Sequence, residues 1–147
     1  MDDWSLNEKT LLATLLAVGV TAIYYFERVL VVLSDQGMDA GDFGRTAITA
    51  LVMLIVIEAI YHAIMAKPTD RETDDERDRA IRLRGASTEA LVLTVGVMAT
   101  IGHIVVASTL AKQEVQLFLV GNLLMAVLVA AELAGRGREL WHYRRGL

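Results

Sequence analysis

Four long apolar runs, separated by short polar stretches, set the pattern of this chain. They cover about residues 11–33, 46–66, 88–110 and 115–133. Each is close to the ~20 residues an α-helix needs to cross about 30 Å of hydrocarbon. An amphipathic surface helix would interrupt such runs with polar residues at a period of 3.6, and few polar residues do so here. The pattern predicts an all-α chain: a polytopic membrane four-helix bundle in one domain, residues 1–147, built as two helical hairpins.

The connections differ in kind. The first, Ser34–Arg45, is rich in Asp and Gly, which are turn and loop residues. The third, about Ala111–Gln116, has room only for a tight hairpin. In the second, Lys67-Pro68 ends the second helix. Thr73-Asp74-Asp75-Glu76 then reads as a capping box. Asp75/Arg79 and Asp78/Arg82 follow as acid-before-base pairs four residues apart. No proline comes after them, so one helix is predicted from near Thr73 to about Leu110. Its part over residues 73–87 would extend into the cytoplasm, with Gly85-Ala86-Ser87 as its softest point.

Charge orients this frame. Of 14 Lys and Arg, eleven fall on the two tails and the second connection. Only Arg45 and Lys112 fall on the other two connections, and Arg28 lies within the first run. With four spans, both tails and the second connection share a side, and the excess of cations makes that side cytoplasmic. Trp4, Trp141 and Tyr143 then fall near the inner interface and Phe43 near the outer one, as interfacial aromatics do. The expected location is the cytoplasmic (inner) membrane, with both termini in the cytoplasm.

Composition excludes several chemistries. A mean hydropathy of +0.45 exceeds that of ordinary soluble chains. The absence of cysteine excludes disulfides, thiolate metal sites and thiol nucleophiles. A net charge of −4 provides no basic field, so no nucleic-acid partner is expected. The start Met1-Asp2-Asp3-Trp4 is acidic where a secretory signal is cationic, so the first run is expected to be retained. No nucleophile elbow, phosphate loop or His-Glu-x-x-His run is present, so there is no enzyme signal and no catalytic residue to name.

The polar residues inside the spans are the candidate chemistry, because ionisable groups in hydrocarbon are costly and are usually paired or functional. At about 1.5 Å per residue, Glu27, Tyr24 and His103 come to similar levels in the outer half and form one candidate layer. Glu58 and His62, four apart on one face of the second span, form an inner layer. Asp75, Glu76 or Arg79 would reach it from below. Glu132 can pair with Arg136 one turn on, and Asn122 lies near mid-membrane beside the level of Thr100. Glu58 and His62 are also weak candidates for a divalent metal ion. Haem is disfavoured, since His62 and His103 differ by about 15 Å in level. No cofactor is otherwise specified.

Two further patterns concern assembly. Val18-Gly19-Val20-x-Ala22 is echoed by Val95-Gly96-Val97-x-Ala99, as a duplicated hairpin would give. Small residues four apart (Ala13/Ala17, Ala59/Ala63, Gly96/Thr100, Ala126/Ala130) let helices approach closely, and some of these stripes would face a second copy in a homodimer.

Asp74-Asp75-Glu76-Arg77-Asp78-Arg79-x-Ile81, between the second and third of four spans, resembles a charged motif of small four-span prokaryotic integral membrane proteins of unknown function. The resemblance implies a cytoplasmic interaction motif at Asp74–Arg79. Three functions are therefore expected in order. The first is a non-enzymatic interaction or regulatory module that presents this charged cap to a cytoplasmic protein. The second is a proton- or metal-ion carrier or channel using the intramembrane Glu and His residues. The third is a lipid- or quinone-binding protein.

Overall fold

The computed structural model describes residues 4–34, 40–65, 76–111 and 117–145. These form four long helices: α1 (Leu6–Leu33), α2 (Ala40–Met65), α3 (Glu76–Val105) and α4 (Leu117–Arg145). There is no strand among the described residues. All four helices are long and apolar enough, by length and composition, to cross a membrane. The first connection, expected over Ser34–Arg45, is shorter than that, because residues 40–45 already form the first turns of α2 despite their Gly and Asp content. Residues 35–39 of the first connection, 112–116 of the third, the Thr73 cap, and Asp74 and Asp75 of the charged motif lie outside the described residues.

The helix ends have local causes. α1 starts earlier than the apolar pattern predicts, because Ser5 and Glu8 form a capping box. The Glu8 amide donates to Ser5 Oγ at 3.2 Å, and the Ser5 amide donates to Glu8 Oε2 at 2.8 Å. α4 does not stop at residue 133 but continues to Arg145, since neither proline nor a run of turn residues interrupts it. At its far end α3 opens into a wider turn, Val106–Leu110, where the Ala111 amide donates to the Val106 carbonyl five residues back. Ser108 and Thr109 hydroxyls both donate to the Val105 carbonyl, competing with the regular helical bond at that point.

Packing is uneven. α1 packs on α2 and α4, and α4 packs on α3. Between α2 and α4, and between α3 and either α1 or α2, the backbones make no close approach. The order is thus α2, α1, α4, α3. One core cluster joins Val18 of α1, Leu54 of α2 and Val129 of α4; another joins Tyr25 and Val29 of α1 to Ala50 of α2. The α3–α4 contact is held close by glycines. A methyl group on Gly96 would lie 2.4 Å from Val127, and one on Gly135 would lie 2.9 Å from Glu89 Cβ. Gly85, predicted as the soft point, lies in unbroken helix and is pressed against the Glu139 side chain. Its missing side chain serves close approach rather than bending.

The internal echo does not carry into environment. Val18 is 2 % exposed against α2 and α4, whereas its counterpart Val95 is 59 % exposed. Gly19 meets nothing, whereas Gly96 meets Val127. Large apolar side chains such as Ile23, Ile55, Leu91, Met98 and Leu128 stand exposed along the helix lengths. A water-soluble surface does not carry apolar area on this scale.

Candidate functional site

A cluster of charged side chains lies where α2 faces the second half of α4. Arg136 is the centre. Its Nε donates to Glu132 Oε1 at 2.8 Å, its Nη2 to Glu58 Oε1 at 2.6 Å, and its Nη1 to Glu139 Oε1 at 3.4 Å. The guanidinium lies over the Tyr61 ring, 3.9 Å from its centroid. Tyr61 donates its hydroxyl to Glu139 Oε2 at 3.3 Å. His62 Nε2 lies 2.7 Å from Glu58 Oε1.

Each position follows from helix geometry. Glu132, Arg136 and Glu139 fall at intervals of four and three on α4, so they share one face. Glu58, Tyr61 and His62 fall at intervals of three and four on α2 and turn the opposing face toward it. The fork of the guanidinium, with five donors in one plane, allows a single Arg to bind three carboxylates. This set joins the side chains of α2 and α4, whose backbones do not approach, alongside the apolar cluster of Leu54 and Val129. The members differ in access: the Arg136 side chain is 8 % exposed, Glu139 2 %, Glu132 15 %, Glu58 34 % and His62 67 %.

Above the charges lies a cleft of about 410 Å³ between α1, α2 and α4. Val18, Leu51, Leu54, Ile55 and Leu128 form its apolar walls, and Glu58, His62 and Glu132 its polar end. A second cleft, of about 360 Å³, runs between α1 and α2 on the other side of Tyr61 and is bordered by Lys9.

The residues expected in an outer layer do not meet. Tyr24, Glu27 and His103 are all exposed, and the helices that carry them, α1 and α3, do not pack together. Equal depth does not bring side chains together when the helices are not neighbours. The buried tyrosine is instead Tyr25, which donates its hydroxyl to Asn122 Oδ1 at 2.9 Å. Asn122 in turn donates to the Phe118 carbonyl at 2.7 Å, so it bridges α1 and α4. Thr100 donates to the Gly96 carbonyl of its own helix.

The inner layer has a different composition from that expected. Glu58 and His62 do meet, but their further partners are Arg136 and, through it, Glu132 and Glu139 of α4. Glu76 and Arg79 are exposed, and Asp78 accepts a bond from Asn7 of α1 at 3.3 Å beside Tyr143. Arg77 is exposed. Tyr61 and Glu139 were not anticipated. The spacing Glu132-x-x-x-Arg136-x-x-Glu139 carried the signal, since it aligns two acids and a base on one helical face. Among the described residues, no three or more His, Asp or Glu side chains are grouped to hold a metal ion. His62 and His103 stand on helices that do not touch.

Comparisons with protein-family models, with curated proteins and with solved structures found no match.

Proposed function

We propose that the chain is a small multi-pass protein of the cytoplasmic membrane that acts as a proton-linked carrier, with its carrying site at Glu58, His62, Glu132, Arg136 and Glu139. One observation supports this reading. Three carboxyl groups converge on a single guanidinium in an apolar bundle, so the site holds more acid than its arginine neutralises. Excess charge in such surroundings is costly, and a proton or another cation offsets it. Protons reach the site through its accessible members, Glu58 and His62. Tyr61 and Glu139 form its closed side. The excess of Lys and Arg on the tails and second connection favours an orientation with both termini in the cytoplasm, which places the site in the inner half of the bilayer.

Flux measurement tests this. Purified protein reconstituted into vesicles loaded with a pH-sensitive dye should dissipate an imposed pH gradient faster than empty vesicles. Glu58→Gln should reduce the rate to that of empty vesicles while the helical circular-dichroism signal is retained. Wild-type vesicles no leakier than empty ones would remove the reading.

A second role as an interaction module is favoured by the start of α3. Arg77 and Arg79 are exposed there, while Asp78 is tied to Asn7 beside Tyr143. This arrangement holds the α3 cap against α1 and α4 and turns its cations outward. Crosslinking from position 77 in intact membranes should capture a cytoplasmic protein, and Arg77→Glu with Arg79→Glu should abolish that capture. Unchanged capture would oppose it.

A further inference from the structure

The cleft between α2 and α4 is closed at one end by charge and lined elsewhere by hydrocarbon. We infer that it binds a lipophilic monovalent cation, which enters as one proton leaves. The inference rests on the proton-linked reading of the same site and adds to it the class of cargo.

Three features of the cleft support this. Its volume, about 410 Å³, falls within the ~300–1,000 Å³ range of small-molecule sites. Its walls, Leu51, Leu54 and Ile55 on one side and Leu128 on the other, suit an apolar body. Leu51, Ile55 and Leu128 are themselves exposed, so the cleft opens on the surroundings of the bundle rather than on its interior. Its polar end presents Glu58 and Glu132, both already bonded to Arg136, and His62 bonded to Glu58. An anion placed there would meet an excess of carboxylate. A neutral guest would leave that excess where it stands. A cation offsets it in the same way as the proton it replaces, so the charge of the occupied site is the same before and after exchange.

The groups facing Glu58 come from several elements. Tyr61 and His62 lie on its own helix, and Glu132, Arg136 and Glu139 on α4. From α3, Glu89 lies against Gly135 beside the cluster, and from α1, Lys9 borders the neighbouring cleft at Tyr61. Arg136 is fully engaged by three acids, which leaves Glu58 as the carboxyl most open to the cleft.

Tetraphenylphosphonium and tetraphenylborate test the inference, because they have nearly the same shape and opposite charge. The full chain in detergent micelles is titrated with each in weakly buffered solution, and partition into empty micelles is subtracted. Tetraphenylphosphonium should bind and release a proton, with affinity rising about tenfold per pH unit over the range in which one proton is displaced. Tetraphenylborate should not bind. Glu58→Gln should abolish both binding and proton release. Ala59→Leu, which narrows the cleft without touching the Arg136 bonds, should weaken tetraphenylphosphonium binding at least several-fold and leave proton flux in vesicles intact. Equal binding of the two ions, or cation binding without proton release, would overturn the inference. So would absence of cation binding by a protein that still dissipates a pH gradient, and that result leaves the carrier reading standing. A protein that neither binds the cation nor moves protons would remove both.

Discussion

Arg136 binds three carboxylates at once, and this makes its removal asymmetric with the removal of any one of them. Arg136→Ala leaves Glu58, Glu132 and Glu139 facing one another without a cation. Breaking a buried pair from one side costs about 3–5 kcal/mol. Arg136→Ala should therefore lower the midpoint of denaturant unfolding in micelles far more than Glu58→Gln, which removes charge from the acid-rich side. An equal loss from both variants would mean that Arg136 contributes only packing on Tyr61. At this scale the site was partly legible. The i,i+4 spacing of Glu58 and His62 announces their contact, and that of Glu132 and Arg136 theirs. Glu139 was hidden because the fourth helix is expected from its apolar run to end near residue 133, and Tyr61, though within the second run, gave no cue because its partner Glu139 lies beyond that end. The outer layer failed for another reason. Depth along a helix follows from the residue number, but the direction in which a side chain points and the neighbour it meets do not. Tyr25 rather than Tyr24 is turned inward, a difference of one residue and about 100° around the helix.

Among the elements, α4 holds the bundle together, since it alone packs on both α1 and α3. Its contact with α3 depends on glycine at defined levels. Gly96 and Gly19 occupy matching places in the two echoed motifs, yet only Gly96 has a neighbour in the way. The same substitution should thus act oppositely at the two positions. Gly96→Ala forces Val127 aside and should lower the unfolding midpoint. Gly19→Ala meets nothing and should leave the midpoint unchanged or raise it, because alanine is favoured over glycine in a helix by about 1 kcal/mol. Parallel effects at both sites would argue that the α3–α4 approach is looser than the structure shows. The existence and type of all four helices were readable from their apolar runs. Their ends were less so. The Ser5/Glu8 capping box lies within the polar lead of α1, where the apolar pattern gives no cue. The wide turn at Val106–Leu110 comes from hydroxyls competing for one carbonyl, an effect that hydropathy does not register.

As a whole molecule, the bundle keeps little of its apolar surface for itself. Its core clusters are small and confined to the α1, α2 and α4 contacts, while the outer faces of α2 and α3 are exposed hydrocarbon. Such a chain is expected to use lipid as its solvent, with the charge that lies between its helices paired around Arg136. An acid-rich cluster in that setting is expected to hold an exchangeable proton. Infrared difference spectroscopy reads this directly, through the carbonyl stretch of protonated carboxyl groups in membranes at neutral and alkaline pH. The cluster of three acids around Arg136 should show a protonated carboxyl band that disappears on alkalinisation, and Glu58→Gln should alter that band. A wild-type spectrum without a protonated carboxyl, or one that Glu58→Gln leaves unaltered, would contradict the account.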